Sequence, residues 1–503
     1  MPLLSRILGR TKRDRETNAK AAADEVPHRG RRVDDAARGE LEKAILPKAD
    51  HDPSRREALR WGMVAGGGVL AGVLAERLIA PALAAPGDAI GGTTISDTDI
   101  DAKRIAGIRI ATEFAPAKHA GTSADPIPGS AIQAALDNTL STGGIVFVPS
   151  GVYNVANPLN ITKSNVTLLG TGFASHLLTD GTGFTDNESG LIQINGQYKG
   201  IALEGLYVDG VDLATTDTCR GLIVTGGSEV FVRTCAFVNW LGTLSQRGRG
   251  LTVVHNPNTE APPHKGVRVE GCYFWNNQIG VVMHRCIYTV LNSYFEQNVW
   301  DGIYTEGTSR GAIVGNLFTF APRTGVFLIF NDRQTVVGNR IEDCGSGIQV
   351  YEGRGMSMIG NHIERCASAG IDIRTNSAHC VASGNFVGYC SGVPGIQLLT
   401  NVTECIVTDN ILRGNRDGVA SLASSNARIA GNACLENSRS GIYVHDSNHI
   451  RILANRASSQ PYGILADGDT DWLMVKDNDL RGNTTAAKAL VGSNVILADN
   501  WET

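Results

Sequence analysis

Charge and aromatic side chains are scarce in this chain, at 19% and 6% of 503 residues. So little Glu and Lys excludes a coiled coil or a long helical rod. No apolar run reaches the roughly 20 residues that a membrane-spanning helix needs. The longest candidate, 61–75, is broken by Glu76-Arg77, so no stable membrane span is expected. Positive charge is not in excess, the formal net charge being −5, and nothing points to a nucleic-acid partner. There are ten cysteines but no Cys-x-x-Cys, which removes the usual zinc spacing. Walker and Rossmann phosphate loops are missing too; Gly-x-Gly strings do occur, but they mean little in a chain this rich in glycine. What is abundant is glycine, 59 residues, with 42% apolar content. That apolar fraction excludes global disorder, and no collagen period is present. Many short strands joined by tight turns fit these numbers: one all-β body of unusual length.

The N-terminus has a different character. Residues 1–53 carry 12 Lys/Arg and 10 Asp/Glu without apolar periodicity, as in a disordered extension or a start codon assigned too early. Arg55-Arg56 then precede the Gly-rich apolar run, and Ala82-Leu83-Ala84 supplies the small residues of a cleavage site ending at Ala84. Residues 54–84 resemble a twin-arginine (Tat) signal. The resemblance implies a periplasmic or secreted protein with the Tat translocase as a transient partner. Tat cargo normally crosses folded, so a cofactor loaded before export is one expectation. Removing residues 1–84 leaves 29 Lys/Arg against 38 Asp/Glu, a soluble acidic protein.

The rest is repetitive. An apolar-x-apolar-x-Asn pattern places Asn292, Asn316, Asn339, Asn361, Asn385, Asn410, Asn432, Asn455, Asn478 and Asn500 at intervals of 22 to 25 residues. Gly302, Gly325, Gly347, Gly370, Gly395, Gly418, Gly441 and Gly463 follow, each before Ile or Val. Period-2 alternation such as Gly370-Ile371-Asp372-Ile373-Arg374 marks strands with one buried face. Repeats of this length with two or three short strands are the rungs of a parallel β-helix. Leucine-rich repeats have similar length, but Ile, Val and Asn hold the positions where they need Leu. The asparagines suit left-handed strand ends with amides bonded from rung to rung, and the glycines suit corners. Rungs before residue 271 are longer, the extra length lying in 211–220 and 241–266. Ile132, Ala135 and Leu136 predict a short helix capping the open end. The expected organisation is a linker and cap over 85–142 and a β-helix over 143–503.

The stretch Gly143-Gly144-Ile145-Val146-Phe147-Val148-Pro149-Ser150-Gly151, with Asn165-Val166-Thr167-Leu168-Leu169-Gly170 beyond it, resembles the opening of pectate-lyase-like right-handed β-helix proteins. The twin-arginine signal with Gly-Asn repeats is closer to Tat-exported repeat proteins described only as having cofactor-binding repeats, without an established activity. The superfamily resemblance implies a fold whose members include polysaccharide lyases, polygalacturonases, epimerases and tailspikes. It does not imply one activity. The polygalacturonase motifs (Asn-Thr-Asp, Asp-Asp, Gly-His-Gly) and the Asp-Pro-His-Asp of alginate epimerases are missing from the repeats.

Side-chain parity nominates a site. Residues two and four beyond each repeated Gly point outward and stack from rung to rung. Polar and aromatic residues concentrate at His284, Tyr304, Glu306, Phe327, Gln349, Tyr351, Asp372 and Arg374, with Glu352 alongside. Aromatic faces mixed with carboxylates and amides suit a sugar chain; a solvated outer face with chance aromatics is the bland alternative. Glu306 and Asp372 are three rungs apart, ~14 Å, beyond the ~5–9.5 Å of a glycosidase pair. A lyase-type β-elimination on an acidic polysaccharide, or an epimerisation, fits better. Arg374 would neutralise the uronate carboxylate, Tyr351 would carry the proton, and Asp372 completes the catalytic candidates; His284, Tyr304, Glu306, Phe327, Gln349 and Glu352 would bind substrate. Calcium held by Asp372 and Glu352 is a further candidate, although two carboxylates are few for an ion that takes about six to eight oxygens. The competing function class is a non-catalytic binding or scaffold protein that holds a cofactor. Cys344, Cys366 and Cys390 share one repeat position and Cys380 and Cys405 another, as stacked free thiols or, on oxidation, disulfides.

Overall fold

A computed structural model describes residues 107–115, 119–179, 189–210, 219–241, 248–254 and 266–502, together with strand residues 89–90 and 93–94. The extension 1–53, the signal residues Arg55, Arg56 and Ala84, and most of the inserted segments 211–220 and 241–266 lie outside them. From residue 107 on, the described residues form a right-handed parallel β-helix of three sheets with 14, 16 and 14 strands. One rung places Asp301–Glu306 in sheet 1, Ala312–Val314 in sheet 2 and Leu317–Thr319 in sheet 3. The next rung lays Thr324–Ile329 parallel on the first of these.

Strand alternation builds the core. Ile303 and Thr305 are wholly buried, whereas Tyr304 and Glu306 face outward. Inside sheet 3, Phe237, Phe274, Phe295 and Phe318 stack in register with ring centroids 4.7 to 5.4 Å apart. The column continues through Ile341, Ile363, Val387, Leu412, Cys434 and Ala457, so its bulk falls toward the C-terminal end. The helix α1, Ser130–Asp137, buries Ala131, Ile132, Ala135 and Leu136 against the first strands, as the spacing predicts. Parallel pairing already begins at Ile108–Ile110 and Ile127–Pro128, so the first rung starts upstream of the expected boundary at 143. Among the described residues no helix is long and apolar enough to cross a membrane.

The asparagine ladder is real, but its geometry differs from the sequence expectation. Apart from Asn292, none of its members has positive φ; the residue just before each does, as at Gly315, Gly338, Asp409 and Ala454. Asn292 (φ 46°) is itself such a left-handed residue, and Ser293 holds the ladder position, its N–H donating to Asn316 Oδ1 at 2.9 Å. Each interior Asn sends its backbone N–H and one amide proton to the next Asn Oδ1, as Asn361 does to Asn385 at 2.9 and 3.0 Å. The repeated glycines also have another cause. Gly302 does not adopt positive φ; a Cβ there would lie 2.5 Å from Phe318 Cδ1 and 2.7 Å from Gly325 O, so close stacking demands glycine.

A second ladder, at the corner between sheets 3 and 1, escapes sequence inspection. It runs through Asn277 and Asn298, and again through Asn415 and Asn437. Between these stretches Cys344, Cys366 and Cys390 fill the position; the Cys390 N–H donates to Asn415 Oδ1 at 3.0 Å. All ten cysteines are free thiols and buried.

Candidate functional site

The outer face of sheet 1 carries the nominated residues, and its register sets their neighbours. One column runs Val282, Tyr304, Phe327, Gln349, Asp372, Gln397, and the other His284, Glu306, Ile329, Tyr351, Arg374. Parallel pairing keeps each residue one strand spacing from the next, about 4.8 Å.

Three candidates meet at the N-terminal part of this face. The Tyr304 hydroxyl donates to Glu306 Oε2 at 2.9 Å, and His284 Nε2 lies 3.5 Å from the same oxygen. His284 foremost, and then Tyr304, hold the Glu306 carboxyl below its usual range, while partial burial acts the other way. His284 Nδ1 is covered and has no hydrogen-bond partner. Phe327 packs edge-on to Tyr304 with centroids 5.6 Å apart.

The second group centres on Asp372, and here the structure corrects an expectation. Although Asp372 belongs to an outward column, it is 0% exposed. Gln349 and Gln397, one rung to either side, direct their amide nitrogens at its two oxygens from 3.4 and 3.3 Å, and Arg374 pairs with it. Burial raises the Asp372 carboxyl above its usual range, against the pull of Arg374. A carboxylate so enclosed cannot reach a substrate; it anchors Arg374. The Arg374 side chain remains 30% exposed, and its Nε is covered without a hydrogen-bond acceptor. Tyr351 sits one rung from Arg374 in the same column, its ring edge-on to Phe330 at 6.2 Å.

Glu352 lies past the strand end in a left-handed turn (φ 51°), and burial raises its carboxyl. With the Asp372 oxygens engaged by two amides and a guanidinium, these two residues do not make a calcium site. Among the described residues no group of three or more His, Cys, Asp or Glu side chains is placed to hold a metal ion.

Parity missed Trp300 and Arg323, each at the corner before a sheet 1 strand, and Asp301, which opens one. Arg323 lies over Trp300 and Phe327, 5.6 and 4.8 Å from their centroids, and pairs with the buried Asp301 at 3.3 Å. Their signal was available as Arg or Trp two residues before a ladder glycine (Trp300, Arg323, Arg416, Arg439). Two concavities of about 360 and 330 Å³ lie away from this face, beside Arg456 and Arg481 and beside Gln133 and Asn154.

Comparisons agree with this architecture. A family model described as "Right handed beta helix region" matches residues 252–398, and one described as "Periplasmic copper-binding protein (NosD)" matches 375–501. No curated protein sequence matches the chain. Among solved structures, the Dettilon tailspike protein (gp208) is 16% identical over 70% of this chain and 71% of its own, with a TM-score of 0.57. A double mutant of the periplasmic alginate epimerase AlgG is 14% identical over 71% and 85%, with a TM-score of 0.41. At such identities the tailspike likeness establishes the right-handed parallel β-helix and nothing finer.

Proposed function

We propose that the outer face of sheet 1 binds an acidic polysaccharide along its rungs, and that Tyr351 and Arg374 act on a uronic acid unit held there. The supporting observation is the in-register strip itself: His284, Tyr304, Glu306, Phe327, Gln349, Tyr351 and Arg374 alternate acceptors, donors and rings at strand spacing. Arg374, positioned by Asp372 and with its side chain 30% exposed, faces a uronate carboxylate, and neutralising that group acidifies the C5 proton. The Tyr351 oxygen, acting as the phenolate, accepts this proton and becomes the neutral phenol. The electron pair forms the C4–C5 double bond, the C4–O4 bond breaks, and the departing oxygen takes a proton back from Tyr351. Protonation of C5 from the opposite face by solvent, with Tyr351 releasing its proton to solvent, would instead give epimerisation. Hydrolysis is disfavoured because Asp372 is enclosed and lies three rungs along from Glu306. The setting proposed is the periplasm or beyond, reached through the Arg55-Arg56 signal.

One observation favours a second reading, a non-catalytic binding or scaffold protein: the Asp372 ion pair already neutralises much of Arg374. Incubating the mature protein with polyuronates decides between them. Unsaturated or C5-inverted products that vanish in Arg374→Ala support the catalytic reading. Turnover unchanged in Arg374→Ala refutes it, and binding without turnover supports the second.

A further inference from the structure

Farther along the same face the chain repeats a constellation already met near its beginning. Asp301, wholly buried, holds Arg323 at 3.3 Å, and that guanidinium lies 4.8 Å from the Phe327 centroid. Asp417, also wholly buried, holds Arg439 through two contacts of 2.7 Å, and that guanidinium lies 3.8 Å from the Tyr443 centroid. In both cases the Asp opens one strand of sheet 1 and the Arg precedes the next. The outward columns carry the same residue types, set one rung later: Tyr304 lies on the strand that Asp301 opens, and Tyr443 on the strand after the one that Asp417 opens. Tyr304 donates to Glu306 at 2.9 Å with His284 at 3.5 Å; Tyr443 donates to Asp467 at 3.0 Å with His445 Nδ1 at 2.7 Å from the same oxygen. Tyr304 and Tyr443 share one column, and His284, Glu306, His445 and Asp467 share the other.

Fold maintenance does not require this set. The corner position of Asp301 and Asp417 is held elsewhere by Thr324, Ser346 and Ser440, small hydroxyl residues that avoid burying a charge. Burying a carboxylate and tying it to arginine is costly, and it fixes the guanidinium over the ring beside it. The three rungs between the two constellations lack the combination: their column residues are Gln349, Asp372 and Gln397, and Tyr351, Arg374 and Leu399.

We propose that Arg439, Tyr443, His445 and Asp467 form a second saccharide-binding station, occupied by the same polymer that the first constellation holds. Asp467, with a side chain 44% exposed, accepts sugar hydroxyl protons. Arg439, 32% exposed beyond its Asp417 contacts, donates to ring or carboxylate oxygens. The His445 ring lies between Asp467 and Asp446, the latter at 3.2 Å, so two carboxylates flank the imidazole. Such a site suits a hydroxyl-rich unit better than an isolated anion. Phe327 and Tyr443 are five rungs apart, ~24 Å at the strand spacing. The substrate class is therefore a long glycan chain gripped at both ends of the face. The inference rests on the sheet 1 face being a polysaccharide site.

Calorimetry with long-chain polymannuronate and polygalacturonate, and with oligouronates too short to span five rungs, tests it. The wild type should take two short oligouronates per chain, and Tyr443→Ala and Asp467→Asn one each. Long-chain affinity should fall about a hundredfold in both, the loss expected when two linked contacts become one. Asp467→Asn preserves shape at an exposed position and covers the event that Tyr443→Ala fails to fold. Unchanged long-chain affinity, or one short oligouronate per wild-type chain, overturns the second station while leaving the face as a binding site. A wild type that binds neither polymer overturns the reading of the face and this inference with it.

Discussion

Replacing Asn385 by alanine should open the solenoid locally. Asn385 is 1% exposed, so water cannot take over its bonds. Its amide nitrogen donates to Met358 O and Asn410 Oδ1, both at 2.9 Å, and its oxygen accepts from Asn361 N at 2.9 Å and Asn361 Nδ2 at 3.0 Å. After truncation Asn410 Oδ1 keeps the Asn385 N–H, and Asn361 Nδ2 keeps Val336 O. The Asn361 N–H loses this acceptor, and Met358 O loses a donor. A bare buried group costs about 1–3 kcal/mol and an ordinary bond about 1, giving a total of about 3–5 kcal/mol. Rungs contact only their neighbours, so the loss should stay local. Native-state hydrogen exchange is the assay: amides near 361–410 should exchange about a hundredfold faster or more, at tenfold per 1.4 kcal/mol, while distant rungs keep wild-type protection. A change below about tenfold at these amides, or one spread evenly over the chain, would refute the ladder as a structural element. So would a variant with intact stability that loses ligand binding.

Two more outcomes follow from the charges and thiols. The Glu306 carboxyl titrates below its usual range, chiefly because of His284, so its contribution to stability exists above the unfolded-state pKa and fades as pH falls through the folded one. Urea unfolding should therefore find Glu306→Gln less stable than wild type near neutral pH, with the gap closing in acid; a pH-independent gap contradicts this. Burial pushes the thiols of Cys272, Cys286, Cys344 and Cys434 up to about 12. Native protein should resist a maleimide at neutral pH, and all ten cysteines should react after denaturation without reductant. A shortfall of two would reveal a disulfide, with Cys380 and Cys405, on adjacent rungs, the first pair to examine.

Much of the site's geometry was legible because strands have a period of two. Once Gly302 and its counterparts were recognised as one position per rung, parity put Tyr304 above Phe327 and Tyr351 above Arg374, as the register does. Parity reports direction, not exposure. Asp372 points outward yet is covered, because glutamines stand in the same column on both sides. Asn292 illustrates another limit: a repeating letter does not reveal a one-residue offset, which depends on which residue takes the left-handed turn.

The sequence by itself determined the solenoid, the rung length, the capping helix and the outward columns. These depend on local periodicity and on short-range steric preferences that a strand carries in its own residues. Only the tertiary structure decided that Asp372 anchors Arg374, that Asp417 and Arg439 repeat the pairing of Asp301 with Arg323, and that cysteines substitute for asparagines in a second ladder. The last two join residues at least 22 positions apart, and the first depends on Gln349 and Gln397, 23 and 25 positions from the Asp372 they enclose. Side-chain reach across a rung decides them, and spacing along the chain does not encode that reach.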